Sequence, residues 1–486
     1  MNLHNVTVVG AGTSGLITAL ILKKKFNQLN VRVIGSEKIG IIGVGEGSTE
    51  HWKPFMQLMG ISIGELMRET DATYKVGVKF EGWTKQDFMH SVVETMTTPF
   101  ADYYCNWAYL ISENLPHKAS NIIPTWDNNM PESGFNELNG MYSFQFHFDA
   151  FKLNNYLKKL CKKENIEVID DLIVNHSLKE NGDIDFLIGD KSIYKSDYFV
   201  DCSGFKRLLL HKIYDIPFKS YKENLPLDRA FAFPTPRKKE EQPNMWTLAR
   251  RMKSGWNWKA PTQSRWGNGY VFSGDHATDD QAIEEIEKLY GENINVAASF
   301  KYEAGRLEKF WYKNCISLGI SSSFIEPLEA SSLGATIQQA FSLCTHLPSG
   351  DSDSYNFYSE KMFDNILDFI QLHYIYSKKD TPFWKDLNVK VTDSLQSILD
   401  ISQRKLPTQL DFDRYYVAYP LFRVQNFISI MWAFDLLNKE AIKSEFDIWN
   451  KSNRWFLKDN INHHIDINEN HATITHNEAI SRAKLL

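Results

Sequence analysis

The chain commits itself within its first residues. Val6-Thr7-Val8-Val9 is a short β-branched run that meets Gly10-Ala11-Gly12-Thr13-Ser14-Gly15, after which Leu16, Ile17, Leu20 and Ile21 recur at helical spacing. Strand, tight turn and helix in that order make a nucleotide-binding unit. Gly10 serves the turn, Gly12 lets the backbone approach a pyrophosphate, and Gly15 lets helix and strand pack closely, with the helix N-terminus facing the anion. A second strand, Val31-Arg32-Val33-Ile34, leads to Gly35-Ser36-Glu37. An acidic residue for an adenosine ribose belongs at or just after that strand end, and Glu37 is the one candidate; a solvated surface glutamate is the alternative.

A second glycine-rich segment follows at Gly43-Val44-Gly45-Glu46-Gly47-Ser48. Closely spaced glycines give a loop with exposed amides, suited to lying across a cofactor through Gly45, Glu46, Gly47 and Ser48. At 486 residues the chain suits a two-part enzyme, and its 43% hydrophobic content fills both parts. The net charge of -6 is small and unsegregated, which argues against nucleic acid as a partner. Cysteines 105, 161, 202, 315 and 344 form no Cys-x-x-Cys pair, so neither a disulfide framework nor a zinc site is expected. His463, His464 and His471 lack zinc-ligand spacing, and no metal is expected there. The first residues carry no signal-peptide pattern and no run of apolar residues is long enough to span a bilayer; the expected location is the cytoplasm.

Further motifs follow in order: TYKVGVKFEGW at 73–83, FHFDA at 146–150, DCSGFKR at 201–207, GWNWKAPTQSRWGNGYVFS at 255–273 and GRLEKFWYKNCISLGISSSFIEPLEASS at 305–332. Together with GAGTSG at 10–15 and GVGEGS at 43–48, they make the chain resemble the flavin-dependent tryptophan halogenases. The Trp-x-Trp pair at 256 and 258 is the most specific of these motifs. The last third of the chain carries no motif of this kind.

The resemblance implies an FAD enzyme. Reduced FAD (FADH2) and oxygen would give a flavin hydroperoxide that oxidises a halide ion, bromide, iodide or chloride, to hypohalous acid. The acid would pass to Lys75, which either hydrogen-bonds it or becomes a haloamine, and an electron-rich indole or phenol would be halogenated there. Alternation along Tyr74–Phe80 places Lys75, Gly77 and Lys79 on one strand face, and only the resemblance selects Lys75 over Lys79. It also assigns Glu329 as the catalytic carboxylate, which holds the acid or accepts the ring proton. Where the family usually has serine, threonine and glycine, this chain has Ala330, Ser331 and Ser332. Halide binding would then rest on backbone amides, Ser331 and Ser332, with a helix cap as the alternative role of the serine pair. Trp256 and Trp258 would shield the hydroperoxide from organic substrate; plain packing is their alternative. Cys202 reads as a small buried residue.

The expected architecture is α/β: an FAD-dependent monooxygenase-like fold with a Rossmann-type module from 1–100, 140–215 and 300–360. A strand-rich insert from 216–300 carries the Trp-x-Trp motif, and 361–486 forms a helical region capping the substrate. The expected partners are a free small aromatic substrate and a separate NAD(P)H-dependent flavin reductase; homo-oligomerisation stays open. Two other readings share the nucleotide motif. An aromatic hydroxylase normally carries a Gly-Asp pair where this chain has Ser317-Leu318-Gly319-Ile320-Ser321, and a non-catalytic FAD-binding protein would leave Lys75 and Glu329 without purpose.

Overall fold

Asn5–Val9 lies between two parallel neighbours, Asn30–Gly35 and Tyr198–Asp201, at the centre of a six-stranded sheet. Outside these run Glu167–Asp170 on one side and Cys315–Ser317 on the other, both parallel, with the antiparallel Trp311–Tyr312 at the edge. This is a computed structural model, and it describes residues 4–41, 46–92, 103–121, 123–132, 144–238, 240–417, 420–452 and 472–485. The chain divides into two units, the first made of Met1–Ala72, Phe148–Lys222 and Glu303–Asp364. The second comprises Thr73–His147, Glu223–Tyr302 and Asn365–Leu486.

In the first unit the helix Thr13–Lys25 is buried continuously from Gly15 to Leu22, packed against the helices Ala150–Lys163 and Ser331–His346. Parallel strands have both faces covered, which explains why Val6, Val8, Val33, Ile34, Phe199 and Val200 are all essentially inaccessible. Two smaller three-stranded sheets complete this unit, one from Ile173–Leu178, Ile184–Gly189 and Ile193–Lys195, the other from Phe218–Ser220, Gly305–Leu307 and Ser323–Phe324.

In the second unit a seven-stranded sheet runs in the order Ala298–Lys301, Arg229–Pro236, Arg265–Phe272, Gly255–Pro261, Trp246–Arg251, Gly77–Glu81, Phe88–Ser91. Every pairing is antiparallel except that of Trp246–Arg251 with Gly77–Glu81. The sequence grouped 73–100 with the nucleotide module. That parallel ladder instead ties the segment to residues 246–251, because backbone pairing, invisible in a local motif, decides which sheet a short strand joins. The strand expected across Tyr74–Phe80 is also interrupted: Thr73–Lys75 and Gly77–Glu81 are separate, and the N–H of Val76 donates to the Met245 carbonyl at 2.7 Å. The expected helical C-terminal region is present, with helices Asp393–Ser402, Gln409–Tyr416, Val424–Ala433, Lys439–Ser452 and His476–Ala483.

Candidate active site

The carboxyl ends of the parallel strands in the first unit open onto a cavity of about 520 Å³. Its walls come from Gly10–Ser14, Ile34–Glu37, Val168–Ile173 and Cys202–Lys206, with Lys158, Ser332 and Leu333. Open α/β sheets bind ligands at this edge, where strand ends diverge and helix N-termini converge. Gly10 adopts φ +119°, and a Cβ there would lie 2.1 Å from the Cys202 carbonyl oxygen. A Cβ on Gly15 would meet the Gly10 carbonyl at 1.9 Å, whereas one on Gly12 meets nothing within 4 Å. Gly10 and Gly15 therefore answer to the protein and Gly12 to the space in front of it. That free space, bounded by the start of the Thr13–Lys25 helix, fits the pyrophosphate of a dinucleotide.

Glu37 is exposed on the cavity wall. It is not the only carboxylate there. Its own N–H donates to Asp170 Oδ1 at 2.9 Å, and that bond, with the Lys191 ammonium, holds the Asp170 carboxyl below the usual carboxylate range. Sequence reasoning missed Asp170 because the Glu167–Asp170 strand lies far along the chain and reaches this edge only by pairing with Asn30–Gly35. It also missed two supports of the turn. Asn154 Nδ2 donates to the Ala11 carbonyl at 3.0 Å. Asp201, fully buried and pushed up by desolvation, accepts from Ser203 N–H and Oγ and from Leu209 N–H, which fixes the chain reversal below the cavity. Of the second glycine segment, Gly45 and the Glu46 side chain lie outside the described residues. Glu46–Gly47 is a short strand, and Ser48 is buried.

Glu329, also in the first unit, ends a single 3-10 turn, Pro327–Glu329, and is inaccessible to solvent, as is Glu326. The next residue, Ala330, sits at φ +53°, ψ 35°, a left-handed conformation that costs a residue with a Cβ about 1–2 kcal/mol. It occupies the cap position of the Ser331–His346 helix and has no side-chain oxygen, so the two serines do not cap the helix. They are its first two residues, Ser331 buried and Ser332 exposed on the cavity wall.

In the second unit Lys75 is inaccessible while Lys79 is partly exposed, with its ammonium 4.8 Å from the ring centre of Trp246 and 5.4 Å from that of Trp126. Lys79 thus has an aromatic seat of its own. Thr73 and Lys75 share a strand face opposite His147 and Gln145. Thr73 Oγ1 lies 3.2 Å from His147 Nδ1, and Thr247 Oγ1 lies 2.9 Å from His147 Nε2. Burial first, then the neighbouring Lys75 charge, pushes His147 well below its ordinary value and keeps the imidazole neutral.

Trp256 and Trp258 lie on one face of the Gly255–Pro261 strand with ring centres 6.2 Å apart, and both are buried. Trp258 crosses its neighbour strand at Gly269, where a Cβ would come within 1.9 Å of the indole Cη2. His463, His464 and His471 lie outside the described residues. Among the described residues no group of three His, Cys, Asp or Glu side chains is placed to hold a metal ion.

Two substitutions separate cofactor space from packing. Gly12→Val should weaken FAD binding by about a hundredfold, equivalent to about 2.8 kcal/mol, with little change in melting temperature of the apoprotein; flavin fluorescence titration measures it. Gly269→Ala should displace the Trp258 indole and cost about 1–3 kcal/mol by overpacking, read as a lower urea midpoint with a shift in tryptophan emission.

Known proteins match most of the chain. The family model described as tryptophan halogenase matches residues 5–445. The tryptophan 6-halogenase ThaL of Streptomyces albogriseolus is 30% identical over 451 residues, 85% of this chain and 85% of that relative. The crystal structure of the tryptophan halogenase from Shewanella frigidimarina superposes with a TM-score of 0.88 at 24% identity, covering 99% of this chain and 98% of its own. The tryptophan C-6 flavin-dependent halogenase of taromycin biosynthesis gives a TM-score of 0.86 at 26% identity, covering 99% and 100%. A nucleotide cavity built on the N-terminal glycine turn and a family match over nearly the entire chain lead to one conclusion: this protein belongs to the tryptophan halogenase family and is a flavin-dependent halogenase.

Proposed function

We propose that the enzyme halogenates a free small aromatic of the indole or phenol type, with Lys75 as the group that receives hypohalous acid. The observation that carries this reading is the complete burial of Lys75. Lysine is almost never fully buried unless it is paired, and buried titratable groups concentrate at functional sites. Tryptophan, after which these relatives are named, is one member of the substrate class.

FAD, reduced by a separate NAD(P)H-dependent reductase, supplies with oxygen the two-electron oxidation of halide to hypohalous acid. The chain's residues do the rest. The Gly10–Gly15 turn and the helix behind it hold the pyrophosphate, with Glu37 and Asp170 set for ribose hydroxyls. Ser331 and Ser332, with their amides at a helix start, hold the halide. The Trp256 and Trp258 indoles exclude the organic substrate from the oxidising centre. As an ammonium, Lys75 hydrogen-bonds the oxygen of hypohalous acid, which leaves as water when the ring takes the halogen. As a free amine it takes the halogen itself, releasing water, and passes it to the ring. In both routes Glu329 accepts the proton lost from the ring carbon. Among the described residues no helix is long and apolar enough to cross a membrane, and a cytoplasmic location fits the need for reduced flavin.

Mass spectrometry of reactions with FAD, a flavin reductase, NADH, oxygen, an arene panel and each halide tests this directly. The expected product gains one halogen, and Lys75→Ala should lower its yield by about a hundredfold or more while flavin oxidation continues. Oxygen insertion without halogen would move the enzyme to the hydroxylases. Larger halides are easier to oxidise, and Ala330 has replaced a hydroxyl-bearing residue beside the serine pair. Bromide should therefore outcompete chloride in an equimolar mixture, and a chloride win would overturn the assignment of a weakly selective halide site.

A further inference from the structure

The strand that carries Lys75 is held along one edge by an unusual partner. Its ladder with Gln145–Phe148 pairs Thr73 with His147, Tyr74 with Phe146 and Lys75 with Gln145. The N–H groups on either side of Lys75 go elsewhere. That of Val76 donates to the Met245 carbonyl at 2.7 Å, and that of Tyr74 donates to Nε2 of His476 at 3.1 Å. His476 opens the last described helix, His476–Ala483, and is wholly buried. Its Nδ1 lies 2.9 Å from the Pro243 carbonyl, so the ring donates on one side and accepts on the other, which only the neutral imidazole can do.

The receiving segment is itself pinned. Asn128 Oδ1 accepts from the Met245 N–H at 3.0 Å, and the Asn128 carbonyl accepts from the His476 N–H at 3.1 Å. Ahead of the helix, Thr473–Thr475 pairs with Asn129–Pro131. Burial, with the Arg237 charge nearby, pushes His476 down to about 4, so the ring keeps its acceptor lone pair across neutral pH. Among the described residues, the other titratable groups facing it are His147 and the Tyr74 phenol, whose ring centre is 6.1 Å away.

We propose that His476 is a positioning residue for Lys75: its neutral imidazole, wedged between the Tyr74 N–H and the Pro243 carbonyl, fixes the backbone from which the lysine projects. The C-terminal segment thereby becomes part of the halogen-delivery apparatus. The inference rests on the reading of Lys75 as the group that receives hypohalous acid. Removing the acceptor leaves a buried N–H unsatisfied beside the lysine, and the strand relaxes to find another partner. Displacement of a reacting group by about 1 Å costs on the order of a hundredfold in rate.

The test compares wild type, Lys75→Ala, His476→Phe and His476→Gln, following flavin oxidation, halogenated arene and free hypohalous acid caught by a diketone trap. In His476→Phe, halogenation turnover should fall by about ten- to a hundredfold, with flavin oxidation and the KM for arene unchanged and the lost halogen recovered in the trap, as in Lys75→Ala. His476→Gln, whose amide both donates and accepts, should restore turnover to within about threefold of wild type. If His476→Phe does not fold, His476→Ala replaces it. A Phe or Ala variant that halogenates like wild type, or a Gln variant as poor as these, would overturn the positioning role. Halogenation persisting in Lys75→Ala would instead overturn the reading of Lys75, a result legible without any variant at 476.

Discussion

The close approach of two backbones, Gly10 against Cys202, governs the cofactor end of this enzyme. Asn5–Val9 and Tyr198–Asp201 run parallel, and the chain leaves the first of them through a residue at φ +119° whose missing Cβ makes room for the Cys202 carbonyl. The Gly10 N–H donates to the Ile34 carbonyl at 2.7 Å and the Cys202 N–H to the Val9 carbonyl at 2.8 Å, so three strand ends finish in register. The Thr13–Lys25 helix then starts at a point from which its first amides face the cavity. With any side chain at Gly10 the strand ends would part, and the anion site would lose its geometry before it lost any contact residue.

A different constraint rules the second unit. Placing a lysine nitrogen out of water is expensive, and proteins meet the cost by shifting its protonation or by surrounding it with polar groups. Here the strand face bearing Lys75 also carries Thr73, with His147 and Gln145 opposite, all inaccessible. These are groups that can hydrogen-bond without adding a charge. His147 in turn is tethered by two threonines, and its neutrality follows from burial beside a cation. The result is a buried polar face on which Lys75 carries the charge and its neighbours only hydrogen-bonding groups.

Ala330 holds its place at a structural cost. The backbone is left-handed there, in a place where glycine would be unstrained, and a turn of this kind holds only because the residues around it are fixed. Leu328, Glu329 and Ser331 are all buried, so the surroundings do fix it. The strain sets the direction in which the Ser331–His346 helix begins, and with it the aim of the first amides and of the exposed Ser332.

The sequence alone determined what depends on neighbours along the chain. The strand, glycine turn and helix at 5–25 were legible because steric limits on φ and close packing act locally, and the Trp-x-Trp pair was legible because alternate residues of a strand share a face. Long-range pairing was not. Nothing in TYKVGVKF says that the strand breaks at Val76, that residues 246–251 receive its second half, or that Lys79 finds two indoles while Lys75 is sealed away. Asp170 reaches the cavity, and Asn154 and Asp201 come to brace the chain around it, only through strand order and helix docking. His476 is the extreme case, 402 residues from the amide it accepts. The tertiary structure decided these points because burial and hydrogen-bond satisfaction are properties of the assembled core, settled by whichever segments arrive to fill each edge.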